Sequence, residues 1–213
     1  QDCDQLAFDL PLKIEGLASQ FPNYIKAEEE FAPEGITTPF VMYRPSLNIR
    51  INSGKSLGTI HEPYFNRDYR HFCSHQHTPN KLEDAGFDAG LLDGQMLYFA
   101  HPVFILYALY GNVILKDFIL KGIRALIDDD LPLHTSLPSQ GRISLLEQKG
   151  EKRYIAHALY ANTMLRGMQS DAFAPDLRPT APVEVIEELN PIYEVKFSFR
   201  LPREIKRVSL EPQ

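Results

Sequence analysis

The sequence predicts an α+β protein made of two units, and three features of its patterning lead to that prediction. Helical periodicity runs through residues 102–127, and after the three aspartates at 128–130 the pattern alternates as in half-buried strands. Ahead of the helical region, short strand patterns lead to a hairpin signal at Asp93-Gly94. We therefore expect a mixed unit over residues 1–129 and a small antiparallel β domain over residues 130–213.

Within the first unit, residues 40–43 and 47–51 have the composition and alternation of short strands. Asp93-Gly94 favours a type I′ turn, because both central residues of that turn need positive φ. The hairpin is expected to join strands on either side of this pair. Residues 1–39 carry only a weak helical pattern and predict no firm element.

Two helices are predicted after the hairpin, over residues 102–110 and 112–127, with Gly111 between them. Asn112 is the expected N-cap of the second helix. Along that helix, polar residues recur at spacings of four, three and four and predict one solvated stripe. These residues are Asp117, Lys121, Arg124 and Asp128.

The second unit is expected to consist of strands joined by turns and one long connection at residues 161–182. The predicted strands cover residues 142–147, 153–160, 183–189, 194–200 and 205–210. Lys149-Gly150 is the expected turn between the first two. His157 alternates with apolar residues and is predicted to be a hydrogen-bonded core histidine.

The composition excludes several function classes. The chain has 213 residues, 44% of them hydrophobic, with a net charge of −6, and its basic residues are scattered, so no nucleic-acid partner is expected. Charged residues interrupt the longest apolar stretch, which therefore predicts no membrane span. Two cysteines, Cys3 and Cys73, are too few for a disulfide framework and leave the compartment undetermined.

Three segments carry a resemblance to a known family. They are His61-Glu62-Pro63-Tyr64-Phe65-Asn66-Arg67 running to His77-Thr78-Pro79, Gly94-Gln95-Met96-Leu97-Tyr98-Phe99-Ala100-His101-Pro102, and Arg142-Ile143-Ser144-Leu145-Leu146-Glu147-Gln148 through Arg153 to Tyr160. Together they resemble the C-terminal portion of bacterial β-galactosidase-like glycoside hydrolases that carry a β-galactosidase trimerisation domain. The likeness covers roughly residues 40–213 and identifies a lineage better than a reaction.

In that family a catalytic β/α barrel precedes a domain with the flavodoxin-like fold of class I glutamine amidotransferases, and a small β domain closes the chain. The resemblance implies an incomplete flavodoxin-like α/β unit followed by a small antiparallel β-sandwich. It also implies two partners, an upstream catalytic barrel and further copies in a homo-oligomer. The sequence begins without an initiator Met, so we expect it to be a fragment.

The barrel itself is not expected within this sequence. A β/α barrel takes about 250 residues of alternating strand and helix, and no such alternation is present. Glycoside hydrolysis also needs two carboxyl groups held about 5 to 9.5 Å apart, and no recognisable pair stands out. We therefore expect no catalytic residue in this chain.

The most distinctive chemistry lies in residues 70–77, where His71, Cys73, His75 and His77 alternate. In an extended strand they would share one face, and imidazole and thiolate are zinc ligands, which suggests a metal-dependent hydrolase. Against zinc, structural sites usually draw their ligands from two separated pairs. The alternative is that these imidazoles form hydrogen bonds within a polar loop.

A third interpretation is that the segment faces a sugar or another domain. Aromatic rings that stack on sugars and side chains that donate to hydroxyls fit a carbohydrate site, and they fit a domain interface equally well. These side chains are Tyr64, Asn66, Arg67, Tyr69, Arg70, His75 and His77. The segment 64–77 could then act as a carbohydrate-binding module.

Two further groups of residues are expected to be structural. An aromatic cluster is predicted to be core, and it consists of Tyr98, Phe99, Phe104, Tyr107 and Tyr110. His101 is expected at a strand-to-helix junction.

The leading hypothesis from the sequence is a non-catalytic assembly portion of a β-galactosidase-like or α-L-fucosidase-like glycoside hydrolase, making domain and subunit contacts. No cofactor is expected unless the histidine-rich segment binds zinc. A bacterial location, cytoplasmic or periplasmic, is all that the resemblance suggests.

Overall fold

The structure is a computed structural model that describes residues 9–170 and 179–211. It divides the chain into two compact units, Gln1–Asp130 and Leu131–Gln213. The described residues form strands and two helices, which confirms a mixed α+β protein. Cys3 lies outside the described residues, and Cys73 is a free thiol.

The first unit contains eight strands and both helices of the described residues. The strands are β1 (Leu12–Leu17), β2 (Asn23–Ala27), β3 (Phe40–Met42), β4 (Leu47–Ile51), β5 (Lys55–Ser56), β6 (Gly58–His61), β7 (Gly90–Asp93) and β8 (Met96–Phe99). The helices are α1 (Val103–Tyr110) and α2 (Val113–Leu126).

These strands form three small sheets, ordered β1-β4, β3-β2-β6 and β5-β7-β8. β2 is the central strand of its sheet and pairs antiparallel with both neighbours. Its first three residues, Asn23, Tyr24 and Ile25, are at most 5% exposed. Both faces of β2 are therefore covered, although an alternating strand would bury only one face.

The flavodoxin-like arrangement is not confirmed. Every strand pairing among the described residues is antiparallel. A flavodoxin-like sheet is parallel and needs a crossover, usually a helix, between neighbouring strands. Here both helices follow the eighth strand, so no helix crosses between strands of the first unit.

The predicted hairpin is present, but its turn lies one residue later than expected. β7 and β8 pair from Gly90 with Phe99 to Asp93 with Met96, so the loop residues are Gly94 and Gln95. Gly94 has φ +54° and Gln95 does not have positive φ, which are the signs of a type II′ turn. The glycine therefore occupies the position where that turn requires one.

The core of the first unit lies between α2 and the sheets. The ring of Phe118 on α2 lies 5.6 Å, centroid to centroid, from both Phe40 and Phe99. At Gly122 an added Cβ would come within 3.2 Å of the Phe99 ring and 3.3 Å of Leu97, so α2 packs closely on the hairpin. A larger residue at position 122 would require the Phe99 and Leu97 side chains to move by a few tenths of an ångström.

Asn112 caps α2 as predicted. Its Oδ1 accepts from the backbone N–H groups of Ile114 at 2.9 Å and Leu115 at 3.4 Å. These are two of the donors that the first turn of a helix leaves unpaired.

The polar stripe of α2 is only partly solvated. Asp117 and Lys121 are half-buried, and they bind the backbone of the loop after β2 instead of each other. Asp117 Oδ2 accepts from the Glu34 N–H at 2.7 Å, and the Lys121 ammonium donates to the Ala32 carbonyl. Both side chains therefore fix a loop on the helix.

The second unit contains six strands in its described residues. They are β9 (Leu133–Thr135), β10 (Arg142–Gln148), β11 (Arg153–Leu159), β12 (Met164–Ser170), β13 (Pro179–Val185) and β14 (Phe197–Phe199). They pair as three separate antiparallel ladders, β9 with β14, β10 with β11 and β12 with β13. β10 and β11 lie where predicted, and β13 and β14 overlap the strands expected at residues 183–189 and 194–200. β12 and the first part of β13 lie within the expected connection at residues 161–182, of which residues 171–178 are outside the described residues. Residues 205–210 form no strand.

The predicted β-sandwich is not confirmed. Among the side chains described in residues 131–166 and 183–211, none is buried. A sandwich would bury the inner faces of two sheets against each other. His157 is exposed, so the prediction of a core histidine is wrong.

Replacing Asn112 tests the hydrogen-bonded cap at the start of α2. Asn112→Ala should lower the free energy of unfolding by about 1 kcal/mol, because two helix N–H groups lose their acceptor. Asn112→Ser is the matched control and should retain most of the stability, since its hydroxyl can accept the same bond. Urea denaturation of the three proteins measures the difference, and equal stability of the alanine variant and wild type would contradict the assignment.

Candidate functional site

All nine of the predicted site residues lie on one surface loop, residues 64–79, whose ends are held together. The Tyr64 N–H donates to the Pro79 carbonyl at 3.1 Å, and the Lys81 N–H donates to the Glu62 carbonyl at 2.8 Å. A compact loop of about 6–16 residues with adjacent ends is an Ω-loop, a structure often used for binding. We refer to it as the 64–79 loop.

The 64–79 loop is organised by its own polar groups. Asp68 Oδ1 accepts from the N–H groups of Arg70 and His71, both at 2.7 Å, and these two bonds lower the pKa of the carboxyl. The Arg67 guanidinium reaches across the loop and donates to the Gln76 carbonyl. Asp68 therefore fixes a turn near the tip while Arg67 joins the two halves of the loop.

Two contacts anchor the 64–79 loop to the chain around β2. Asn66 Oδ1 accepts from the Phe21 N–H at 2.8 Å, and its Nδ2 donates to the Ser19 carbonyl at 3.0 Å. At the other end of the loop, the Tyr24 hydroxyl donates to the carbonyl of the fully buried Thr78. Burial raises the pKa of Tyr24, so this hydroxyl remains a donor at neutral pH.

His77 lies against the anchored base of the loop. Its ring lies 6.1 Å from Tyr24 and 5.8 Å from Tyr43, measured between centroids. Its Nδ1 is buried and has no hydrogen-bond partner. His77 therefore packs inward between two tyrosines, and its role here is structural.

The 64–79 loop presents three rings to solvent, one at its base and two near its tip. Tyr64, Tyr69 and Phe72 are 58%, 81% and 73% exposed. The Arg70 guanidinium lies 4.9 Å above the Tyr69 ring, a stacked cation and ring pair. Phe72 was not predicted as a site residue, although an aromatic residue within a polar run is a signal that could have identified it.

The structure divides the predicted site residues into two groups. Asn66, Arg67 and His77 use their side chains to hold the loop or pack inside it. The half-buried thiol of Cys73 belongs to the same group, because it lies against carbonyls of the loop. The exposed group, with side chains available to a ligand or a partner, consists of Tyr64, Tyr69, Arg70, His71 and His75. The expected surface for a sugar or an interface is thus reduced to these five exposed side chains.

The zinc hypothesis gains no support from the geometry. His71, Cys73, His75 and His77 lie on an irregular backbone rather than on an extended strand, so they do not share one face. His71 lies beside Asp68 and the ring of Phe65, and the thiol of Cys73 lies 3.5 Å from the His77 carbonyl. Within the described residues, no three His, Cys, Asp or Glu side chains form a group able to hold a metal ion.

A second polar cluster lies inside the first unit, at the start of β2. His101, 3% exposed, lies at the predicted junction between β8 and α1, and its Nε2 is 2.7 Å from Asn23 Oδ1. Because a carbonyl oxygen only accepts, Nε2 carries the proton, and the Asn23 Nδ2 donates to Ser46 Oγ at 2.9 Å. Burial lowers the pKa of His101 from 6.5 to about 3, so the imidazole is neutral at physiological pH.

A solved structure shares this architecture. The α-L-fucosidase isoenzyme 2 from Paenibacillus thiaminolyticus is 34% identical and superposes with a TM-score of 0.79, over 92% of this chain and 27% of the fucosidase. The chain has a glycoside-hydrolase-related fold. It spans about a quarter of the length of that enzyme.

The comparisons support the expected family resemblance only in part. The similarity to a fucosidase does not confirm a β-galactosidase trimerisation domain in this glycoside-hydrolase-related chain. No protein-family model matches the sequence, and no curated protein matches it. No helix among the described residues has the length and apolar character needed to cross a membrane.

The buried His101 predicts acid sensitivity within a defined pH window. Its pKa is lower in the folded chain, about 3, than the ordinary 6.5, so the unfolded chain takes up a proton first as pH falls. Stability is therefore full above pH 6.5 and is lost between pH 6.5 and 3, by about 1.4 kcal/mol per pH unit.

Denaturant titrations at a series of pH values test this expectation. His101→Gln should have a flatter stability profile than wild type between pH 6.5 and 5, because it has no group to protonate. His157→Gln removes an exposed imidazole and should keep the wild-type profile. The account fails if His101→Gln and wild type lose stability in parallel across that window.

Proposed function

We propose that this chain is the non-catalytic assembly portion of a carbohydrate-active glycoside hydrolase of the α-L-fucosidase or β-galactosidase type. Its role is to make domain and subunit contacts for an enzyme whose catalytic β/α barrel is its partner. The observation that carries the proposal is the 34% identity to a fucosidase, over 92% of this chain and 27% of that enzyme.

The topology supports placing bond cleavage in a different part of the enzyme. A β/α barrel closes with eight parallel strands, each followed by a helix. In the part of the chain that the structure describes, all pairings are antiparallel and only α1 and α2 are helical. The paired carboxylates of a glycosidase would accordingly come from the barrel.

Exposed apolar surface supports an assembly role. The described side chains of the second unit include no buried residue, and Leu146, Leu159 and Leu165 are 53%, 65% and 62% exposed. Single exposed leucines are normal, but a unit whose described side chains are never buried has no core of its own, so contacts outside it are expected to supply the burial. Contacts with another part of the enzyme or with another copy would remove this surface from water.

The proposal is tested by comparing the isolated chain with the complete product of its reading frame. The isolated chain should release no more nitrophenol from nitrophenyl fucosides and galactosides than buffer does. The complete product should contain an in-frame barrel and hydrolyse one of these substrates. Turnover by the isolated chain at about 1 s⁻¹ or faster, co-eluting with it through two different columns, would overturn the proposal, as would a reading frame without a barrel.

The exposed rings of the 64–79 loop favour carbohydrate binding as a second candidate function. Tyr64, Tyr69 and Phe72 supply three exposed rings, and Arg70 supplies guanidinium donors beside them. Sugars present apolar C–H faces to aromatic rings and hydroxyls to such donors. Because Asn66 and Tyr24 anchor the loop, little ordering entropy would be lost on binding.

Calorimetry with L-fucose and D-galactose tests this second function. Tyr69→Ala should weaken binding by up to about tenfold, since stacking on a ring is worth about 0.5–1.5 kcal/mol. Tyr193→Ala is the matched control, because Tyr193 is also 81% exposed but lies in the second unit. The candidate is rejected if millimolar sugar gives no heat with wild type, or if the two variants bind alike.

A further inference from the structure

The two units differ in what holds them together. The first unit has a cluster of buried apolar residues that includes Ile25, Leu106 and Phe118. Among the side chains described in residues 131–166 and 183–211, none is buried, even with the first unit present. Ordering a backbone costs conformational entropy, and burial of apolar side chains is the main gain that offsets this cost. The described part of the second unit therefore lacks the gain that stabilises the first.

The strands of the second unit pair only two at a time. In the described residues, no hydrogen-bonded strand joins one of its three ladders to another. The β10–β11 ladder runs from Arg142 paired with Leu159 to Gln148 paired with Arg153. A single two-stranded hairpin is at best marginally stable in water, and three or more strands with an apolar face are needed for independent stability. Backbone pairing alone therefore does not replace a core.

Polar side chains also bind one another in the second unit, but at its surface. Arg166 pairs with Glu187 at 2.9 Å, and these two side chains are 57% and 45% exposed. The exposed Arg153 donates from Nε to Gln148 Oε1 at 2.6 Å. Exposed ion pairs contribute little to stability, because water screens the charges and ordering two long side chains costs entropy. These bonds do not supply the missing stability either.

One face of the β10–β11 hairpin is apolar yet not buried. Ile143 and Leu145 on β10 are paired with Ala158 and Ala156 on β11, and the side chains of such cross-strand pairs share a face. The two larger residues are half-buried, and both alanines are exposed. An antiparallel pair that meets water on one side normally packs its apolar face on a core. We call these four residues the open face.

The solved relative indicates what covers the open face. The match spans 92% of this chain and 27% of that fucosidase, so most of the fucosidase chain lies outside the matched part. Segments of one polypeptide meet at a high effective concentration, because the linkage removes much of the entropy cost of association. A second copy has to associate at the concentration of the protein in solution. The linked remainder of the enzyme is therefore the favoured occupant.

We propose that the second unit is only marginally stable in this chain alone, and that it is stabilised by docking its open face on the remainder of the same polypeptide. The inference rests on the assembly role proposed above. It deepens that role by naming the surface and its occupant, and by coupling the folding of the second unit to assembly. The first unit, which has its own core, does not depend on this docking.

Hydrogen exchange of the 213-residue chain tests the marginal stability of the second unit. Amides of β10 and β11 should exchange at most about tenfold more slowly than those of an unstructured peptide, because their ladder opens without unfolding a core. Amides of β2 should exchange at least about 1,000-fold more slowly than those of an unstructured peptide, since β2 lies in the core of the first unit. They also report that the first unit is folded.

The complete product of the reading frame tests the docking. Its β10 and β11 amides should exchange at least about 100-fold more slowly than those of the isolated chain. Leu145→Asp should abolish this gain and leave β2 unchanged, because a carboxylate would lie without a partner in an apolar contact. Leu82→Asp, at a leucine of the first unit that is 82% exposed, is the matched control and should keep the gain. The wild-type comparison does not depend on either variant.

The outcomes separate this inference from the proposed function. Exchange of β10 and β11 as slow as that of β2 in the isolated chain, or equal exchange in the isolated chain and the complete product, would overturn the inference. Protection that appears in the isolated chain only as its concentration is raised would also overturn it, because a second copy would then cover the open face. None of these results affects whether the reading frame encodes a barrel. A remainder that protects β10 and β11 but is not a barrel would support the docking and reject the glycosidase assignment.

Discussion

The start of β2 is the constraint on which the rest of the first unit depends. Three consecutive residues there are buried, and each contacts a different part of the chain. Ile25 joins the apolar core beneath α2, Asn23 holds the polar cluster with Ser46 and His101, and Tyr24 binds the base of the 64–79 loop. Core packing, the junction before α1 and the shape of the loop therefore depend on one strand.

This arrangement links stability to the candidate site. In the polar cluster Nε2 of His101 is hydrogen-bonded and Nδ1 is buried without a partner, and a proton on the ring would place a charge where no counter-ion is described. The 64–79 loop gains its fixed form from a second set of bonds, through Asn66 and the Tyr24 hydroxyl. Its exposed rings are consequently presented by a scaffold and do not need to be ordered by a ligand.

Local patterns predicted the features that depend on neighbouring residues. The Asn112 cap, the two helices and the β7–β8 hairpin follow from short-range rules. β2 and the contacts that anchor the loop were not predicted. Asn66, for example, binds Phe21 across 45 positions, and no local signal encodes such a contact. The aromatic residues of α1 were predicted to be core, yet Phe104 and Tyr110 are 60% and 56% exposed. Periodicity shows that a face is apolar, not whether its own chain covers it.

The central claim, that β2 holds the 64–79 loop in place, is tested most directly by hydrogen exchange in Tyr24→Phe. This variant removes only the hydroxyl that binds the Thr78 carbonyl, and Tyr64→Phe, at a ring 58% exposed, is the matched control. The account predicts that amides of residues 64–79 exchange about tenfold faster in Tyr24→Phe, as expected for loss of a hydrogen bond worth about 1 kcal/mol or more. Loop exchange identical in Tyr24→Phe, Tyr64→Phe and wild type would contradict it.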